Sequence, residues 1–543
     1  MAPDRLGEDM RRFTVAVVVL AVLTLIMGAG LIEARPTLPD SGMAKKRSVD
    51  AAGFDKQHGP QSQLECMVAA GGAANVKLDC DDPFPNNEPD LEVDPADPLH
   101  MIASSNDYGT CCDQFYTTFD GGRNWTTGNM SREKPQKIGS DPVTVFDRKH
   151  GVAIHASLSY QVQHAAGAEA CDGDVTVSIS RDGGLTWEIP VSVDDGIGCD
   201  FSRTQLFNDK EWIVTDNNRS SPFYGRSYLT WSKFESHDGA YASSAIWEAY
   251  SDDGGDHWST PQEISGSNPA LCTFQWTGPA GECDQNQFSV PTVRPDGTVF
   301  VAFQNEQNEA IWETGEQFED QYLIVRSTNG GVTWSTPTFV VALEDGSRDY
   351  PRAVNGRQTL SGYQLRVNSA GNIVASPTTG KLYLVFSDNR NGTHDSDTPV
   401  TNTDVFVMSS TNGTSWTTPA LVDTSSSDQW FPWVEVNPVT GSIGIVYNDR
   451  SASDPRLYNA SVAEGRPGAF SKTVVSTAAS HPTESRFFRA QTPGCENCAT
   501  FNGDYIAISY GSDGRANMTW TDMRDPDPTV SGQFDQFIYF ARK

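Results

Sequence analysis

The feature that most constrains the fold of this chain is a short segment that recurs five times. Residues 180–187 read Ser-Arg-Asp-Gly-Gly-Leu-Thr-Trp, similar copies occupy 118–125, 251–258 and 327–334, and a shortened copy occupies 410–416. Alternating or apolar stretches flank these segments, which is the pattern of a hairpin turn between two strands. The Asp or Asn at the third position can accept hydrogen bonds from the turn's own backbone, and the glycines supply positive φ. We call these segments the repeat turns, and they predict a fold of repeated hairpins.

A second repeated unit, consisting of a strand, a tight turn and another strand, lies upstream of the repeat turns. Dividing residues 83–543 among seven such units gives about 66 residues per unit, against about 40 to 50 in a lean propeller repeat, so the excess must lie in loops. Four clear and three looser copies make up the seven: 289–303, 372–386, 433–447 and 505–520, then 88–103, 141–158 and 211–231.

The repeat turns resemble the Asp-box of the sialidase-like β-propellers. Five copies in one chain make this resemblance specific for the fold, and much less so for activity, because Asp-boxes also occur in non-catalytic propellers. The resemblance implies an all-β chain, and the unit count predicts a closed antiparallel β-propeller of seven blades. The family's catalytic domain has six blades, so a six-bladed propeller is the alternative.

The domain boundaries follow from the repeats. Residues 64–543 are predicted to form one propeller domain, and residues 35–63 a polar, disordered segment. The last unit ends at the strand 537–541 and lacks a fourth strand. We expect the segment around 75–79 to supply that strand and to close the ring, which would leave no long sheet edge exposed.

The first 34 residues have the order of an export signal. Arg11 and Arg12 precede an apolar run over 13–27, and the small residues 28–30 follow. The alternative is an uncleaved N-terminal anchor, since about 18 apolar residues can just span a bilayer. Both interpretations place the propeller outside the cytosol, secreted in the first case and membrane-anchored in the second.

The cysteine content also indicates an oxidising compartment. The ten cysteines fall into local pairs that suggest disulfides within loops. A CxxC at Cys495 could instead serve redox or zinc chemistry, but no second metal-binding motif accompanies it. The expected pairs are Cys66/Cys80, Cys111/Cys112, Cys171/Cys199, Cys272/Cys283 and Cys495/Cys498.

Charge and missing motifs exclude several functions. The chain has 39 Lys and Arg against 70 Asp and Glu, a net charge of −31, which repels phosphate backbones and makes nucleic acid an unsuitable partner. No metalloprotease, nucleotide-binding or dinucleotide motif is present, so we expect no cofactor and no metal. Asp395, Asp397, Asn402 and Asp404 could bind calcium, but they lack an EF-hand pattern and are interpreted as a solvated acidic loop.

Blade geometry selects the candidate site. The repeat turns and the first hairpin turn of each blade share one face, so first-strand starts and second-strand ends share the other, where a central pocket would lie. These positions are rich in carboxylates, amides, Tyr and Arg, which suits a polyhydroxylated ligand. The alternative is that strand ends facing water are polar in any propeller. The first-strand starts are 87–88, 140–141, 209–211, 286–287, 364 with 366, 428–429 and 502–505.

The resemblance to retaining sialidases implies particular roles. Those enzymes use a Tyr activated by Glu as nucleophile and an Asp as acid/base. By this resemblance, Asp141, Glu211 and Asp504 are candidate acid/base or stabilising groups, and Tyr505 is the candidate nucleophile. The first arginine of the family's Phe-Arg-Ile-Pro motif is replaced here by Ser289, and losing one arm of such a clamp costs a few kcal/mol.

Four arginines are candidate substrate-binding residues, namely Arg366, Arg390, Arg450 and Arg524. The last three occupy similar places in consecutive units, each with an Asp close before it. The alternative is that they are structural braces. A substrate clamp would converge on the axis, whereas braces would each bind a carboxylate of their own.

The sequence therefore predicts a secreted, sialidase-like carbohydrate-active protein with a glycan as partner, and a glycoside hydrolase is the specific hypothesis. The alternative is a non-catalytic extracellular propeller that binds a glycan or a protein. Convergence of a Tyr, a Glu and at least two Arg in one pocket would favour the enzyme.

Overall fold

In a computed structural model, seven antiparallel sheets surround a common axis and form a seven-bladed β-propeller, as the repeat count predicts. Six blades, the alternative, are excluded. The structure describes residues 63–80, 84–163, 169–200, 202–238, 240–273, 279–306, 320–346, 348–351, 358–363, 365–395, 398–450, 453–485, 501–529 and 531–543. The predicted leader 1–34, nearly all of the polar segment 35–63, and Asp397, Cys495 and Cys498 lie outside these ranges.

Each blade runs outward from the axis through successive strands, and the strands are numbered in chain order. Blade 1 contains β3 (Asn86–Val93), β4 (Met101–Asp107), β5 (Gln114–Thr118), β6 (Asn124–Asn129) and, outermost, β1 (Gln63–Ala69). Blade 2 contains β7 (Ile138–Asp147), β8 (Val152–Gln163), β9 (Glu169–Ser180) and β10 (Val191–Asp194). Blade 3 contains β11 (Gln205–Thr215), β12 (Ser227–His237), β13 (Ala240–Ser251) and β14 (Gln262–Glu263).

The remaining blades repeat this order. Blade 4 contains β15 (Asn286–Val293), β16 (Val299–Asn305), β17 (Gln321–Ser327) and β18 (Thr338–Ala342). Blade 5 contains β19 (Ile373–Ala375), β20 (Leu382–Asp388), β21 (Asp404–Ser410) and β22 (Ala420–Leu421). Blade 6 contains β23 (Gln429–Val436), β24 (Ile443–Asp449), β25 (Asn459–Arg466) and β26 (Ala469–Val474). Blade 7 contains β27 (Ala507–Tyr510), β28 (Ala516–Asp522), β29 (Phe537–Arg542) and β2 (Val76–Lys77).

The ring closes between the two ends of the described chain. Val76 pairs with Phe540 and Lys77 with Tyr539, so an N-terminal strand is the outermost strand of the last blade. The buried Asp79 then accepts a hydrogen bond from the Tyr116 hydroxyl, 2.6 Å away in blade 1. The closing segment is thereby hydrogen-bonded to blade 7 through β2 and to blade 1 through Asp79.

Strand β1 is an addition that the repeat pattern did not predict. It pairs with β6 and gives blade 1 a fifth strand. The Cys66–Cys80 disulfide joins β1 to the segment that follows β2. Three further predicted pairs also form disulfides, namely Cys111–Cys112, Cys171–Cys199 and Cys272–Cys283.

The core consists of apolar layers between neighbouring blades. Blades 2 and 3 bury Ile154 against Trp231, blades 4 and 5 bury Phe300 with Phe386, and Trp125 of blade 1 packs edge-on against Phe540 of blade 7. Each sheet is therefore covered on both faces, which explains the long apolar runs in its strands. Among the described residues, the one helix is a short 3-10 turn at Pro482–Glu484. No helix in this part of the chain is long and apolar enough to cross a bilayer.

The repeat turns share one hydrogen-bonding pattern. In blade 1, Asp120 Oδ1 accepts the backbone N–H groups of Arg123 and Asn124 at 2.9 Å, and the Thr118 hydroxyl oxygen accepts the N–H of Gly122. Asp182, Asp253, Asn329 and Asn412 make the corresponding contacts in blades 2 to 5.

The repeat turns also dock each blade on the one before it. A Cβ on Gly184 would lie 2.6 Å from Ile102 of blade 1, and a Cβ on Gly413 would lie 2.1 Å from Phe300 of blade 4. The backbone N–H of Gly121 reaches the carbonyl of Leu99, so the repeat turn and the first hairpin turn of the blade share one face. The starts of the first strands therefore lie on the opposite face.

Candidate functional site

The innermost strands of five blades carry the same irregularity just below that opposite face. In β3, β7, β15 and β23, the pairing register shifts by a β-bulge after the second or third paired residue from that face, and in β11 it shifts after the fifth. At each bulge one residue has a positive φ of 52° to 59°, which re-aims its side chain relative to a regular strand. These residues are Glu88, Asp141, Lys210, Phe288 and Phe431.

Lys210 is the centre of the resulting cluster. Its Nζ lies 3.1 Å from Glu88 Oε1, 3.0 Å from Asp141 Oδ2 and 3.3 Å from Asp504 Oδ2, so blades 1, 2 and 3 and the entry to blade 7 meet at one ammonium group. The same Nζ lies 5.0 Å from the centre of the Tyr505 ring. We call Glu88, Asp141, Lys210 and Asp504 the axial cluster.

Neighbouring groups hold the axial cluster in place. Arg366 forms an ion pair with Asp504 Oδ2, and the Asn368 side-chain amide donates to Asp504 Oδ1 at 2.9 Å. The backbone N–H of Asp504 donates to Glu88 Oε1 at 2.9 Å. The Asn106 side chain donates to Glu88 Oε2 and accepts the N–H of Asp141 at 2.7 Å.

The carboxyl groups of the cluster differ in protonation. Burial raises the pKa of Glu88 well above its usual range, as does the charge of Asp141, to which the Glu88 carboxyl donates a hydrogen bond. Burial opposes ionisation of Asp141, but the Lys210 charge and hydrogen bonds lower its pKa to about 2. Burial likewise opposes ionisation of Asp504, and Arg366 with Lys210 lowers its pKa. The cluster therefore pairs a protonated carboxyl with two carboxylates.

Two further carboxyl groups lie beside the cluster on β11. Burial and the Asp141 charge raise the pKa of Asp209 to about 7, and its Oδ2 accepts a hydrogen bond from Gln287 at 2.8 Å. Glu211 is buried, and burial followed by the Asp141 charge raises its pKa well above normal. Neither carboxyl oxygen of Glu211 has a hydrogen-bond partner among the described residues.

Tyr505 packs into an aromatic group below the cluster. Its hydroxyl donates to the carbonyl of Pro142 at 3.2 Å, and its ring meets Trp212 edge-on at 5.3 Å. Trp212 in turn contacts Trp433 from blade 6 across the axis, with ring centroids 4.4 Å apart. Burial, followed by the nearby charges of Glu88 and Asp141, raises the pKa of the Tyr505 phenol well above 10. The phenol is therefore held as a neutral hydrogen-bond donor to backbone in this structure.

The three arginines at second-strand ends lie apart from the axial cluster. Arg390 pairs with Asp388 at 2.5 Å, Arg450 with Asp428 at 2.6 Å and Arg524 with Asp522 at 2.5 Å. Each guanidinium also lies over an aromatic ring, for example Arg450 over Tyr363 at 3.8 Å. This geometry is that of the brace alternative, with Arg450 using Asp428 rather than the adjacent Asp449.

The structure thus brings together five of the sequence-predicted residues, Asp141, Glu211, Asp504, Tyr505 and Arg366. It adds Glu88 and Lys210, which sequence analysis placed at first-strand starts without giving them a role. Ser289, at the position of the family's arginine, is buried and donates to the Thr230 hydroxyl at 3.0 Å.

Two groups among the described residues bring three metal-ligand atoms close together. Glu344, Asp349 and His394 lie in loops of blades 4 and 5 and could hold a cation. The second group, Glu133, Asp174 and Asp195, already binds the ammonium group of Lys134. The expectation of a solvated acidic loop is wrong for Asp404, which begins β21, is buried and accepts a hydrogen bond from Asn391.

Comparison with known proteins identifies no matching family model and no matching curated relative. Solved structures with a similar architecture include an α-L-arabinanase from Penicillium chrysogenum (12% identity, TM-score 0.43, covering 69% of this chain and 93% of that one). They also include a mutant NanB sialidase from Streptococcus pneumoniae (9%, 0.40, 91% and 96%) and a leech intramolecular trans-sialidase (11%, 0.40, 76% and 70%). The function of this chain must therefore be argued from its own side chains.

Proposed function

We propose that the protein is a carbohydrate-active propeller and that its axial cluster hydrolyses a glycosidic bond. The observation that carries this proposal is the meeting of the Glu88 and Asp141 carboxyl groups at one lysine ammonium, 3.1 Å and 3.0 Å away, where burial raises the pKa of Glu88 and the lysine charge outweighs burial to lower that of Asp141. Glycosidases need a carboxylic acid and a carboxylate at the same bond, and neighbouring charges set the two protonation states.

The proposed reaction uses the proton that Glu88 and Asp141 share. The pair passes this proton to the glycosidic oxygen, and the bond from the anomeric carbon to that oxygen breaks. The Asp504 carboxylate, held by Arg366, stabilises the positive charge that develops on the sugar ring. Water then adds to the anomeric carbon and returns a proton to the pair. Asp141 is the member that a ligand would reach, because its side chain is 12% exposed against 2% for Glu88.

Glu211 and Tyr505 have supporting roles in this proposal. The neutral Glu211 carboxyl is a second proton source beside Asp141, and Tyr505 fixes Pro142, the residue after Asp141, through its hydroxyl. A nucleophilic Tyr505, as the sialidase resemblance implies, would require its hydroxyl to leave the Pro142 carbonyl and lose its proton.

The compartment belongs to the same proposal. Four disulfides fit an oxidising environment outside the cytosol. Export through residues 1–34, as a cleaved signal or an anchor, would bring the propeller to extracellular glycans.

The second candidate function is a non-catalytic glycan- or protein-binding propeller. The observation that favours it is the completeness of the axial cluster, in which Lys210 already binds three carboxyl groups. In that case the cluster would be an ion-pair hub that holds the blades together.

Hydrolysis of a panel of fluorogenic glycosides by the full-length protein, with a sialoside included, tests the proposal. We expect Glu88→Gln and Asp141→Asn to lower kcat/KM by about 10²- to 10⁴-fold, the range for a lost general acid or base. The matched control is Asp454→Asn, because Asp454 forms an exposed ion pair with Arg456 away from the axis. Absence of hydrolysis on every substrate would overturn the enzyme in favour of the binding propeller. Equal activity of all four proteins would overturn the axial cluster as the catalytic site.

A further inference from the structure

The charge balance of the axial site bears on which sugars it can accept. A site for a sialic or uronic acid needs a cation that is free to pair with the sugar carboxylate. Among the residues that the structure describes, the two cations that contact the axial carboxyl groups are already committed to ion pairs. Lys210 contacts three carboxyl groups within 3.3 Å, and Arg366 binds Asp504.

The cations at the ends of the second strands are committed in the same way. Arg390, Arg450 and Arg524 each hold a carboxylate at 2.5 to 2.6 Å, and Lys233 holds Asp194 at 2.8 Å. All four also lie over aromatic rings. Releasing any of the three arginines would leave a buried carboxylate without its partner, and releasing Lys233 would do the same to the partly buried Asp194.

Recruiting Lys210 to a sugar carboxylate would break ion pairs that are largely buried. Its side chain is 10% exposed, and those of Glu88 and Asp504 are 2% and 3% exposed. Moving the ammonium group away would remove the counter-charge of the ionised Asp141 and one of the two cations that pair with Asp504, which is strongly destabilising. The nearby Asp209 and Glu211 add two acidic side chains and no cation.

We propose that the axial site takes a neutral glycan and discriminates against sugars that carry a carboxylate. The hydroxyl groups of a neutral sugar can donate hydrogen bonds to the Asp141 and Asp209 oxygens without disturbing the ion pairs. When it is tested by hydrolysis, this inference rests on the proposed function. The sugar class that it names differs from the one that the sialidase resemblance implies.

Matched substrates that differ only at one carbon test this inference. Fluorogenic α- and β-glucosides and galactosides are compared with the corresponding glucuronides and galacturonides, in which a carboxylate replaces the hydroxymethyl group, and with a sialoside. We expect kcat/KM for the best neutral substrate to exceed that of its charged partner by at least about 10²-fold. Preference for the charged partner or the sialoside would overturn the inference while leaving the hydrolase in place.

If no substrate is hydrolysed, the proposed hydrolase fails and binding still tests the sugar class. The labelled full-length protein is then applied to an array of neutral and carboxylated oligosaccharides. Binding confined to neutral glycans supports the inference. Binding to carboxylated glycans, or to none, overturns it.

A charge variant tests whether the axial cluster, and not another part of the surface, discriminates between charged and neutral sugars. Asp504→Asn removes a partner from Arg366 and Lys210, so we expect the ratio of kcat/KM for charged over neutral substrate, or of the binding signals, to rise about 10-fold. Asp388→Asn frees Arg390, remote from the axial cluster, and should leave the ratio unchanged. A ratio that moves with Asp388→Asn and not with Asp504→Asn would place charge discrimination outside the axial cluster.

Discussion

Lys210 holds together groups that would otherwise repel one another. Its ammonium lies at a bulge of β11, and it is the common partner of Glu88, Asp141 and Asp504. Sequence analysis could predict that acidic first-strand starts would meet near the axis. It did not predict the lysine's role, because a single cation among many carboxylates gives no pattern, and its position depends on the bulge.

Replacing this lysine should be costly to stability. We expect Lys210→Met to lower the free energy of unfolding by about 3 to 5 kcal/mol, since breaking a buried ion pair leaves uncompensated charge. Chemical denaturation at neutral pH measures the change. The control is Lys543→Met, which removes an exposed pair with Glu464 and should cost less than about 1 kcal/mol. Equal effects of the two substitutions would contradict the central role of Lys210.

A buried glutamate away from the site should make stability depend on pH. Burial raises the pKa of Glu248 on β13 to about 8, so the folded state retains a proton that the unfolded chain releases near the ordinary glutamate pKa of 4.5. Its contribution to stability is therefore complete below the unfolded pKa and is lost as pH rises through the folded pKa. We expect Glu248→Gln to flatten the decline of Tm between about pH 5 and about pH 8. An unchanged slope would show that Glu248 is ionised in the folded protein.

At the scale of elements, the repeat turns are the features that sequence predicts best. Their glycines, Asp or Asn and Trp define a local hydrogen-bond pattern, and the structure has it in five blades. The strand β1 and the bulges were not predicted. The pairing of β1 with β6 depends on an edge that forms only after folding, and a bulge changes register without a fixed sequence signal.

The docking of the repeat turns on the preceding blade can be tested at glycine. Gly184 has a φ of +88°, and a Cβ there would meet Ile102 at 2.6 Å. We expect Gly184→Ala to lower the free energy of unfolding by about 2 to 4 kcal/mol, from backbone strain and the clash together. Gly441→Ala is the matched control, because its φ is +67° and no atom lies within 4 Å of the added Cβ. Thermal melting of both variants should show the larger loss for Gly184→Ala, and a reversed order would contradict the docking contact.

At the scale of the whole molecule, counting repeats predicted the number of blades. Ring closure could also be predicted, because each blade needs neighbours on both faces to bury its apolar side chains. The set of side chains that meet at the axis could not be predicted in the same way. Side chains as distant in sequence as Glu88 and Asp504 meet there only because the ring has a particular circumference and stagger. The arginines show this limit in one case: Arg390 and Arg524 bind the Asp that precedes each of them, as the brace alternative expects, whereas Arg450 binds Asp428.

Because β2 closes the ring, we expect a small change beside it to lower the free energy of unfolding of the whole propeller. Leu78 is fully buried and its backbone N–H donates to the carbonyl of Ile538, whereas Leu64 on β1 is 56% exposed. We expect Leu78→Ala to cost about 2 to 5 kcal/mol and Leu64→Ala much less. Urea unfolding followed by tryptophan fluorescence and by circular dichroism should shift together for Leu78→Ala. Separate shifts of the two signals would show that closure stabilises only blade 7.

The pairing of β2 with β29 also sets the order of events during biosynthesis. Strand β29 leaves the ribosome after every other described strand, so the early strand β2 must wait for it while the intervening blades are made. Ring completion therefore cannot precede the synthesis of β29, and until then blade 7 lacks both of its outer strands.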